Sequence, residues 1–450
     1  MYTFEKFGTE EKSIWKCDQY KKMKCKSRIH SLNNEILKEI QHNHVQDCGN
    51  IEAAKAVNLI KNMATQNVDL STRAVISSAS TSLTSAAAGQ MPSLSVLKRT
   101  VRRIRQKEQA TPPNLKSLLE LIIPDDYRTT FDGKPFLLFD SGPVENRILI
   151  FSTQKNLQLL QKCEHWFADG TFSTSPNLFY QIYTVHGIKF NNVLPSIFAL
   201  LPNKTETTYV NFYNALKTLN ESLNPKSIMV DFEKAVINAI QSVFTNTSVR
   251  GCFFHLSQSI WRRLQNLGFQ KRYMEDSEFA LQIRMMAALS FVPEEDVENA
   301  WNELLDSEFY SLNEEILTPL TNYFEDTWIG RLDRRNRRKP ALFPVTLWNC
   351  FKYIFENIPR TNNSVEGWHN GFASSQNACH PTIWKCIDSF KKEESLIKLQ
   401  TEELIAGMTM GVKRKYKDHA EKIIKIYDDY HTRSKLDFLK GIAHNLQLQL

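Results

Sequence analysis

The chain has 450 residues, 42% of them hydrophobic and 23% charged, which excludes a disordered polymer and allows two or three globular domains. No apolar run approaches the roughly 18 residues that a membrane span needs, and the N-terminus lacks an apolar signal core, so we expect a soluble intracellular protein with no membrane partner. The net charge of +7 is uneven. Residues 1–110 hold 18 Lys and Arg against 10 Asp and Glu, and the remainder is close to neutral. The basic first quarter is therefore the part expected to bind a phosphate backbone.

Two cysteines and two histidines in the first fifty residues have the composition of a metal site. Seven residues separate Cys17 from Cys25, and sixteen separate Cys25 from His42, with His44 close behind. This set suffices for one tetrahedral structural Zn²⁺. A segment of about fifty residues with few large aliphatics cannot easily stabilise itself by burial, and zinc would supply the missing folding energy. The alternative is a chance grouping in a basic surface segment, and nearby Cys48 is predicted to be an ordinary thiol.

The residues around these ligands resemble the FLYWCH-type zinc finger. Tyr2 and Phe4 match its aromatic strand, Trp15 precedes the first cysteine by two, and Arg28 lies on the short basic strand. The resemblance implies a small strand-rich module ending at His44. Because the aromatic strand begins at once, the sequence leaves open whether the N-terminus is clipped.

Helical spacing follows from Ile51 to about Met63, and Ser71–Ser95 is predicted to be a linker or short helices. In Leu97–Lys107 an apolar stripe runs along a helix whose other positions are cations. We predict a contact with the DNA backbone, or a nuclear import signal and hence a nuclear protein; the alternative is a solvated helix face. The cations proposed to bind DNA are Arg99, Arg102, Arg103 and Arg105.

Five β-rich runs and two helices lead to two acids. The predicted strands are 136–139, 147–151, 166–172, 178–185 and 193–201, and the helices are 154–161 and 206–223. A further strand, 227–230, ends at Asp231. The order of three strands, a helix and a strand is that of a ribonuclease H-like sheet, in which the strands carrying Asp169 and Asp231 are neighbours.

A Cys-x-x-His pair follows the second acid. Cys252 and His255 are predicted at the end of a strand over 250–254, ahead of a helix over 258–267. The pair is half a zinc site at most, since no second pair follows at a suitable spacing. Packing and a role beside the active site, including contact with DNA, are both left open.

Residues 272–355 are predicted to be mainly helical and to contain a basic run, Arg331–Lys339. With Trp328 and Tyr323 nearby, this run is predicted to combine phosphate contacts with base stacking. A solvated basic loop is the alternative. The cations proposed to bind DNA here are Arg334, Arg335, Arg337 and Arg338.

The segment 362–369 begins a predicted helix that carries a third acid, Glu366. Ser364 is the predicted N-cap, His369 lies one turn beyond Glu366, and Asn363 is placed in the same active-site region. Asp169, Asp231 and Glu366 converging from two strand ends and a helix would form an oxygen-rich site for two divalent cations. Ligand hardness favours Mg²⁺ over Mn²⁺.

The ordered blocks DGTF, VDFEKA, CFFH and NNSVEGWH resemble the transposases of Mutator-like elements. The resemblance covers roughly residues 130–390. It implies a ribonuclease H-like core with an Asp-Asp-Glu triad, interrupted by a helical insertion. The expected function is metal-dependent cleavage and transfer of double-stranded DNA, with transposon ends and target as partners. A domesticated, non-catalytic DNA-binding protein of transcription or chromatin, and a nuclease without strand joining, are the alternatives; a homo-oligomer is left open.

The predicted fold is a mixture of α+β and α/β parts in six segments. These are a zinc finger (1–50), a helical and basic linker region (51–125), the first part of the core (126–270), a helical insertion (271–355), the end of the core with the Glu366 helix (356–390) and a charged helical C-terminal region (391–450).

Overall fold

The protein is described from a computed structural model. The structure describes residues 2–8, 12–33, 35–67, 70–81, 83–108, 117–335, 337–356, 358–376, 379–408 and 414–448. The chain divides into two compact units, residues 1–113 and 114–450. The sequence also predicts that Pro112 and Pro113 end the basic helix of residues 97–107, but both prolines lie outside the described residues.

The first unit opens with a four-stranded antiparallel sheet in sequential order. Its strands are β1 (Tyr2–Phe7), β2 (Ser13–Cys17), β3 (Arg28–Leu32) and β4 (Glu35–Glu39). Phe4 pairs with Trp15, and Trp15 with Ile29, so aromatic and aliphatic side chains share one face. Every residue of β4 is exposed, which leaves this sheet little buried apolar surface.

Four helices complete the first unit: α1 (Cys48–Gln66), α2 (Thr72–Ser80), α3 (Ser85–Ala88) and α4 (Leu94–Glu108). Asp47, Ser71 and Thr84 cap the first three through side-chain oxygens, so the Ser- and Thr-rich segment forms short helices instead of an open linker. Leu97 and Val101 of α4 are buried against α1 and α2, as the apolar stripe predicts.

The second unit is built on a seven-stranded mixed sheet. Its strands are β5 (Leu137–Asp140), β6 (Leu149–Phe151), β7 (His165–Thr171), β8 (Gln181–Lys189), β9 (Asn192–Leu201), β10 (Ser227–Val230) and β11 (Ser248–Gly251), in the order β11-β10-β7-β8-β9-β6-β5. β7, β8 and β9 are antiparallel to one another, and β10 and β11 run parallel to β7. The strands that carry Asp169 and deliver Asp231 are neighbours, as predicted.

Helices α5 (Gln154–Gln161), α6 (Glu206–Leu219) and α7 (Lys234–Val243) belong to the core on one face of the sheet. Successive side chains of residues 148–151, which include β6, pack alternately into the cores on the two faces of the sheet. Ile148 and Ile150 pack with these helices, and Leu149 and Phe151 pack on the opposite face. Covering both faces explains why the strands read as continuous apolar runs.

A helical segment lies between β11 and the third acid. Its helices are α8 (Phe253–Asn266), α9 (Gln270–Glu275), α10 (Ser277–Ala288), α11 (Val297–Leu305), α12 (Glu308–Leu312), α13 (Glu314–Phe324), α14 (Val345–Trp348) and α15 (Phe351–Phe355), with one π-helical turn at Glu325–Ile329. Trp301, Trp328 and Trp348 are buried within it.

The last helices are α16 (Asn363–Gln376), α17 (Ile383–Ile405), α18 (Arg414–Asp428) and α19 (Lys435–Ala443). Phe372 of α16 and Trp384 and Phe390 of α17 form the core on the second face of the sheet. α19 packs against α10 instead. The predicted boundary at 390 falls inside α17, a continuous helix whose buried side covers the sheet.

Two local predictions also need correction. The strand expected over 250–254 ends at Gly251, and the helix expected from 258 begins at Phe253, whose backbone N–H donates to the carbonyl of Arg360. Ser364 does not cap α16 but lies inside its first turn, because the helix begins at Asn363.

Candidate active site and zinc centre

The N-terminal cysteines and histidines converge on one point. The ligand atoms of Cys17, Cys25, His42 and His44 all lie within 4.8 Å of one another. The Sγ of Cys17 is 3.3 Å from His44 Nε2, the Sγ of Cys25 is 3.4 Å from His42 Nδ1, and the two imidazole nitrogens are 3.2 Å apart. Tetrahedral zinc bonds require ligand separations of about 3.5 Å. The donor set and spacing therefore fit one Zn²⁺.

The surroundings of His44 and Cys25 favour their metal-binding forms, whereas burial raises the pKa of Cys17. His44 Nδ1 lies 3.0 Å from the carbonyl of Val45, which leaves Nε2 free to face the cysteines. Burial opposes ionisation of Cys25, but backbone N–H groups of Asn43 and Ser27 and the side chain of His42 outweigh it and lower the pKa of Cys25 to about 6. A thiolate is the form that binds zinc.

The second unit brings the three predicted acids to one edge of its sheet. Asp169 lies near the end of β7, and Asp231 follows the last residue of β10. Glu366 lies in the first turn of α16, on the far side of the helical insertion. Asp169 is well buried and the other two are partly exposed. This gathers the carboxylates from two strand ends and a helix.

Asn362 joins the two aspartates. Its Nδ2 lies 3.3 Å from Asp169 Oδ2 and 3.5 Å from Asp231 Oδ1. Its backbone carbonyl accepts the first hydrogen bonds of α16, from Val365 and Glu366. The predicted active-site residue Asn363 is instead exposed. The sequence prediction thus falls on the exposed asparagine of the pair, and its buried neighbour Asn362 contacts the acids.

Cys252 holds Asn362 in this position. The Cys252 thiol donates to Asn362 Oδ1 at 3.1 Å, and the Asn362 backbone N–H donates to Cys252 Sγ at 3.4 Å. Cys252 is fully buried, so both contacts are shielded from water. The cysteine of the Cys-x-x-His pair therefore acts on the acids through Asn362 and is not a metal ligand in this arrangement.

His255, the other member of the pair, lies between two acids. Its Nδ1 is 2.8 Å from Asp231 Oδ1 and its Nε2 is 3.9 Å from Glu366 Oε1. Burial alone would lower the pKa of His255, but the close contact with Asp231 and the negative charges around it raise that pKa to about 10. His255 is therefore a cation that links Asp231 to Glu366.

His369 lies on the other side of Asp169. Its Nδ1 is 3.6 Å from Asp169 Oδ2, and its Nε2 is 3.2 Å from the Thr184 hydroxyl. Burial lowers the pKa of His369 to about 4, so the imidazole is neutral. A neutral ring lets His369 orient the Asp169 carboxylate without competing as a cation.

Two of the three acids have raised pKa values. Burial, and then the charge of Asp231, raise the pKa of Asp169 to about 8, and burial also raises the pKa of Glu366. Within the described part of the chain the three carboxylates do not approach one another as closely as the zinc ligands do, since Asn362 and His255 lie among them. Oxygen donors with such raised pKa values fit hard divalent cations, which relieve this repulsion.

The cations proposed to bind DNA have two different environments. Arg99, Arg102 and Arg103 are exposed on α4, and Arg334 and Arg335 are exposed beside the helical insertion. Arg105 instead donates to the carbonyls of Asn67 and Leu70. Arg337 pairs with Asp333, and Arg338 with Glu298. These last three side chains stabilise the protein's own backbone and loops.

The base-stacking role suggested for Trp328 is wrong. Its side chain is 1% exposed and packs against Phe232 and Phe343, so no base can reach it. Tyr323 is half-buried beneath the guanidinium of Arg263. Trp328 packs against Phe232, the residue after Asp231. It therefore supports the acidic edge, the edge of the sheet at which Asp169, Asp231 and Glu366 lie.

Comparisons with known families agree with this arrangement. Residues 165–259 match the MULE transposase domain, and residues 1–45 match the FLYWCH zinc finger domain. No curated protein matches the chain. The first match covers Asp169, Asp231, Cys252 and His255 and ends before Glu366. The chain thus combines a transposase-type domain with a zinc finger, and both domains are of DNA-binding families. No helix among the described residues has the length and apolarity to span a membrane.

Proposed function

We propose that the protein is a DNA transposase of the Mutator-like type that cuts and joins DNA through Asp169, Asp231 and Glu366. The observation that carries this proposal is the meeting of Asp169 and Asp231 on neighbouring parallel strands, with His255 linking Asp231 to Glu366. The sheet order β9-β8-β7-β10-β11, antiparallel first and then parallel, supports a ribonuclease H-like core.

The three carboxylates would hold Mg²⁺ or Mn²⁺, which when bound polarises a phosphoryl oxygen and increases the acidity of water. The protein's own groups prepare that site. Asn362 fixes the spacing of Asp169 and Asp231, and His369 orients Asp169 from the other side. His255 lies between Asp231 and Glu366 and offsets part of their negative charge.

The DNA contacts are assigned to both units. The zinc finger and the exposed cations of α4 are proposed to bind element ends, and Arg334 and Arg335 are proposed to bind backbone phosphates. The same α4 cluster is the proposed nuclear import signal. The excess of positive charge in residues 1–110 supports both assignments.

One observation favours a second candidate, a DNA-binding protein without catalytic activity. His255 is held between Asp231 and Glu366 by a 2.8 Å contact and supplies a positive charge of its own. A cation in this position partly satisfies the acids without a metal. Such a protein would keep its DNA affinity and lack cleavage.

The experiment that separates these functions is a product assay on DNA taken from both flanks of the gene, where a transposase's terminal inverted repeats would lie. With Mg²⁺, a transposase releases the flanks and joins the element end to a target, whereas a nuclease yields cut ends alone. Asp231→Asn is expected to abolish cleavage and retain DNA binding. Strand transfer by Asp231→Asn, or binding without any cleavage by the unchanged protein, contradicts the catalytic proposal.

A further inference from the structure

Two aromatic side chains are exposed beside the acidic edge. Phe172, three residues beyond Asp169, is 42% exposed, and Tyr180 is 55% exposed. Their rings meet edge to face at 5.5 Å. The residues between them are mostly buried, including Phe179 at 4%. Single exposed apolar residues are common on proteins, but a paired set beside a candidate active site requires an explanation.

The loop that carries the pair, residues 172–180, is held in place. Ser175 donates its backbone N–H to the carbonyl of Phe172, and its hydroxyl to that of Phe179. The backbone N–H of Tyr180 donates to Leu201 of β9, and His380 contacts the carbonyls of Ser173 and Ser175. The two rings are therefore presented on a fixed backbone, which lowers the entropy lost on binding.

A cation and the acids lie next to the pair. Lys204 Nζ lies 4.8 Å from the centre of the Phe172 ring and forms a 2.7 Å ion pair with Glu233. Phe172, Lys204, Asp169 and Asp231 line one small cavity of about 70 Å³. A ligand that places a phosphate at the acids through this cavity therefore meets the Phe172 ring and the Lys204 ammonium group, and Tyr180 contacts that ring at the cavity's rim.

We propose that Phe172 and Tyr180 form a stacking platform for an unpaired nucleobase adjacent to the phosphate held at the acids, with Lys204 beside its backbone. The platform rests on the proposed function, because it assumes that a DNA phosphate occupies the acidic edge. Aromatic rings bind unpaired bases through their faces irrespective of sequence, and a nearby cation adds attraction to the backbone. A base inside an intact duplex cannot present its face in this way, so the ligand is locally single-stranded DNA.

The test measures the binding of a short fluorescein-labelled oligothymidylate and of a blunt duplex of equal length to the full chain. Fluorescence anisotropy is recorded with Zn²⁺ retained and with Ca²⁺ in place of Mg²⁺ to suppress cleavage. The Phe172→Ala/Tyr180→Ala protein is expected to lose about 10-fold or more in affinity for the single strand, with the duplex little affected. Phe172→Leu/Tyr180→Leu keeps apolar bulk without a ring and should show the same loss.

The matched control is Phe190→Ala. Phe190 is also exposed, at 50%, and also has a lysine over its ring, but it lies in the β8–β9 turn at the opposite end of β8 from the acids. Its substitution should leave single-strand affinity unchanged. Equal affinity of the unchanged and Phe172/Tyr180 proteins, or an equal loss with Phe190→Ala, overturns the platform.

The outcome is separable from that of the proposed function. If Mg²⁺-dependent cleavage occurs and the single strand binds the Phe172/Tyr180 variants normally, the platform is wrong and the transposase proposal stands. If the ring-dependent single-strand binding is present and cleavage is absent, the platform is supported and the catalytic proposal fails.

Discussion

At the scale of single residues, the acidic edge depends on side chains that are not acids. Asn362 supplies an amide that contacts both aspartates, and the Cys252 thiol donates to the oxygen of that amide. A carboxylate pair brought together in a buried site repels itself, so its geometry has to be maintained by neighbours. Asn362, His255 and His369 perform this task here.

Substituting Asn362 is therefore expected to impair catalysis. In Asn362→Ala the aspartates lose their shared donor, and a displacement of even about 1 Å at a reacting centre can reduce the rate about 100-fold. Cleavage rate under saturating Mg²⁺ is the measurement. Asn363→Ala is the control, because Asn363 is exposed. Equal cleavage rates for the two variants would show that Asn362 does not maintain the geometry of the aspartates.

The raised pKa of Asp169 predicts a gain in stability when its charge is removed. Below about pH 4 the folded and unfolded carboxyls are both protonated, so Asp169→Asn changes little. As the pH rises towards about 8, the unfolded carboxyl ionises while the folded one resists, and the unchanged protein loses stability. Thermal unfolding at pH 8 without added Mg²⁺ should show Asp169→Asn more stable than the unchanged protein by as much as about 5 kcal/mol, since one pKa unit corresponds to about 1.4 kcal/mol. A variant equally stable at pH 4 and less stable at pH 8 would contradict this.

The sequence identifies the residues of the candidate site whose role is visible in a local motif, but not those whose role depends on contacts between distant parts of the chain. Asp169, Asp231 and Glu366 are recognisable from their motifs and their place at predicted element ends. Asn362 is not distinguishable from Asn363 by type, because the choice depends on the residue at which α16 begins. Phe172 and Tyr180 occur in a β-rich region, and only the structure reveals that they remain exposed.

At the scale of elements, β11 and the turn after β10 are fitted to each other. A Cβ added to Gly251 would lie 2.3 Å from Phe232 Cε1. Phe232 in turn packs against Trp328 at 4.7 Å and Phe343 at 5.1 Å. The residue after Asp231 is thus enclosed by a glycine of the sheet and two aromatics of the insertion.

Gly251→Ala is expected to destabilise the second unit by about 1–3 kcal/mol, because the aromatic ring or the strand must shift. Thermal unfolding measures it. Gly371→Ala provides the contrast, since no atom lies within 4 Å of the added Cβ at this exposed position of α16 and alanine favours helices. Gly371→Ala should therefore stabilise slightly. A harmless Gly251→Ala would show that Phe232 is free to move.

The elements themselves differ in how far the sequence predicts them. α5 and β10 have the predicted bounds, because periodicity and flanking residues agree there. The start of α8 does not, since Cys252-Phe-Phe reads as a continuing strand. The helix begins there through a hydrogen bond from Phe253 to Arg360, a contact between distant parts of the chain that local pattern does not contain.

At the scale of the whole molecule, the two units are stabilised by different means. The seven-stranded sheet has cores on both faces, whereas the two outer strands of the finger, β1 and β4, are largely exposed. The finger is therefore expected to depend on zinc. The organisation into a zinc module and a larger mixed unit is predictable from composition, but the packing of α17 on the sheet is not, because its charged surface obscures the buried side.

Cys25→Ser is expected to unfold the finger and leave the second unit folded. Limited proteolysis with mass spectrometry should show new cleavage within residues 1–45 and protection of the sheet of residues 114–450. Cys48→Ser is the matched control, because Cys48 is exposed and belongs to no ligand set among the described residues. Protection of the finger in Cys25→Ser would mean that zinc does not stabilise it.

The proposed activity requires Asp169, Asp231 and Glu366 to hold divalent cations jointly. Anomalous diffraction from crystals of the protein bound to DNA and soaked in Mn²⁺ tests this directly, with the zinc signal at Cys17, Cys25, His42 and His44 as an internal standard. Manganese peaks within about 2.0–2.3 Å of carboxylate oxygens of all three acids are the predicted result. A clear zinc peak with no manganese among these carboxylates would contradict the account.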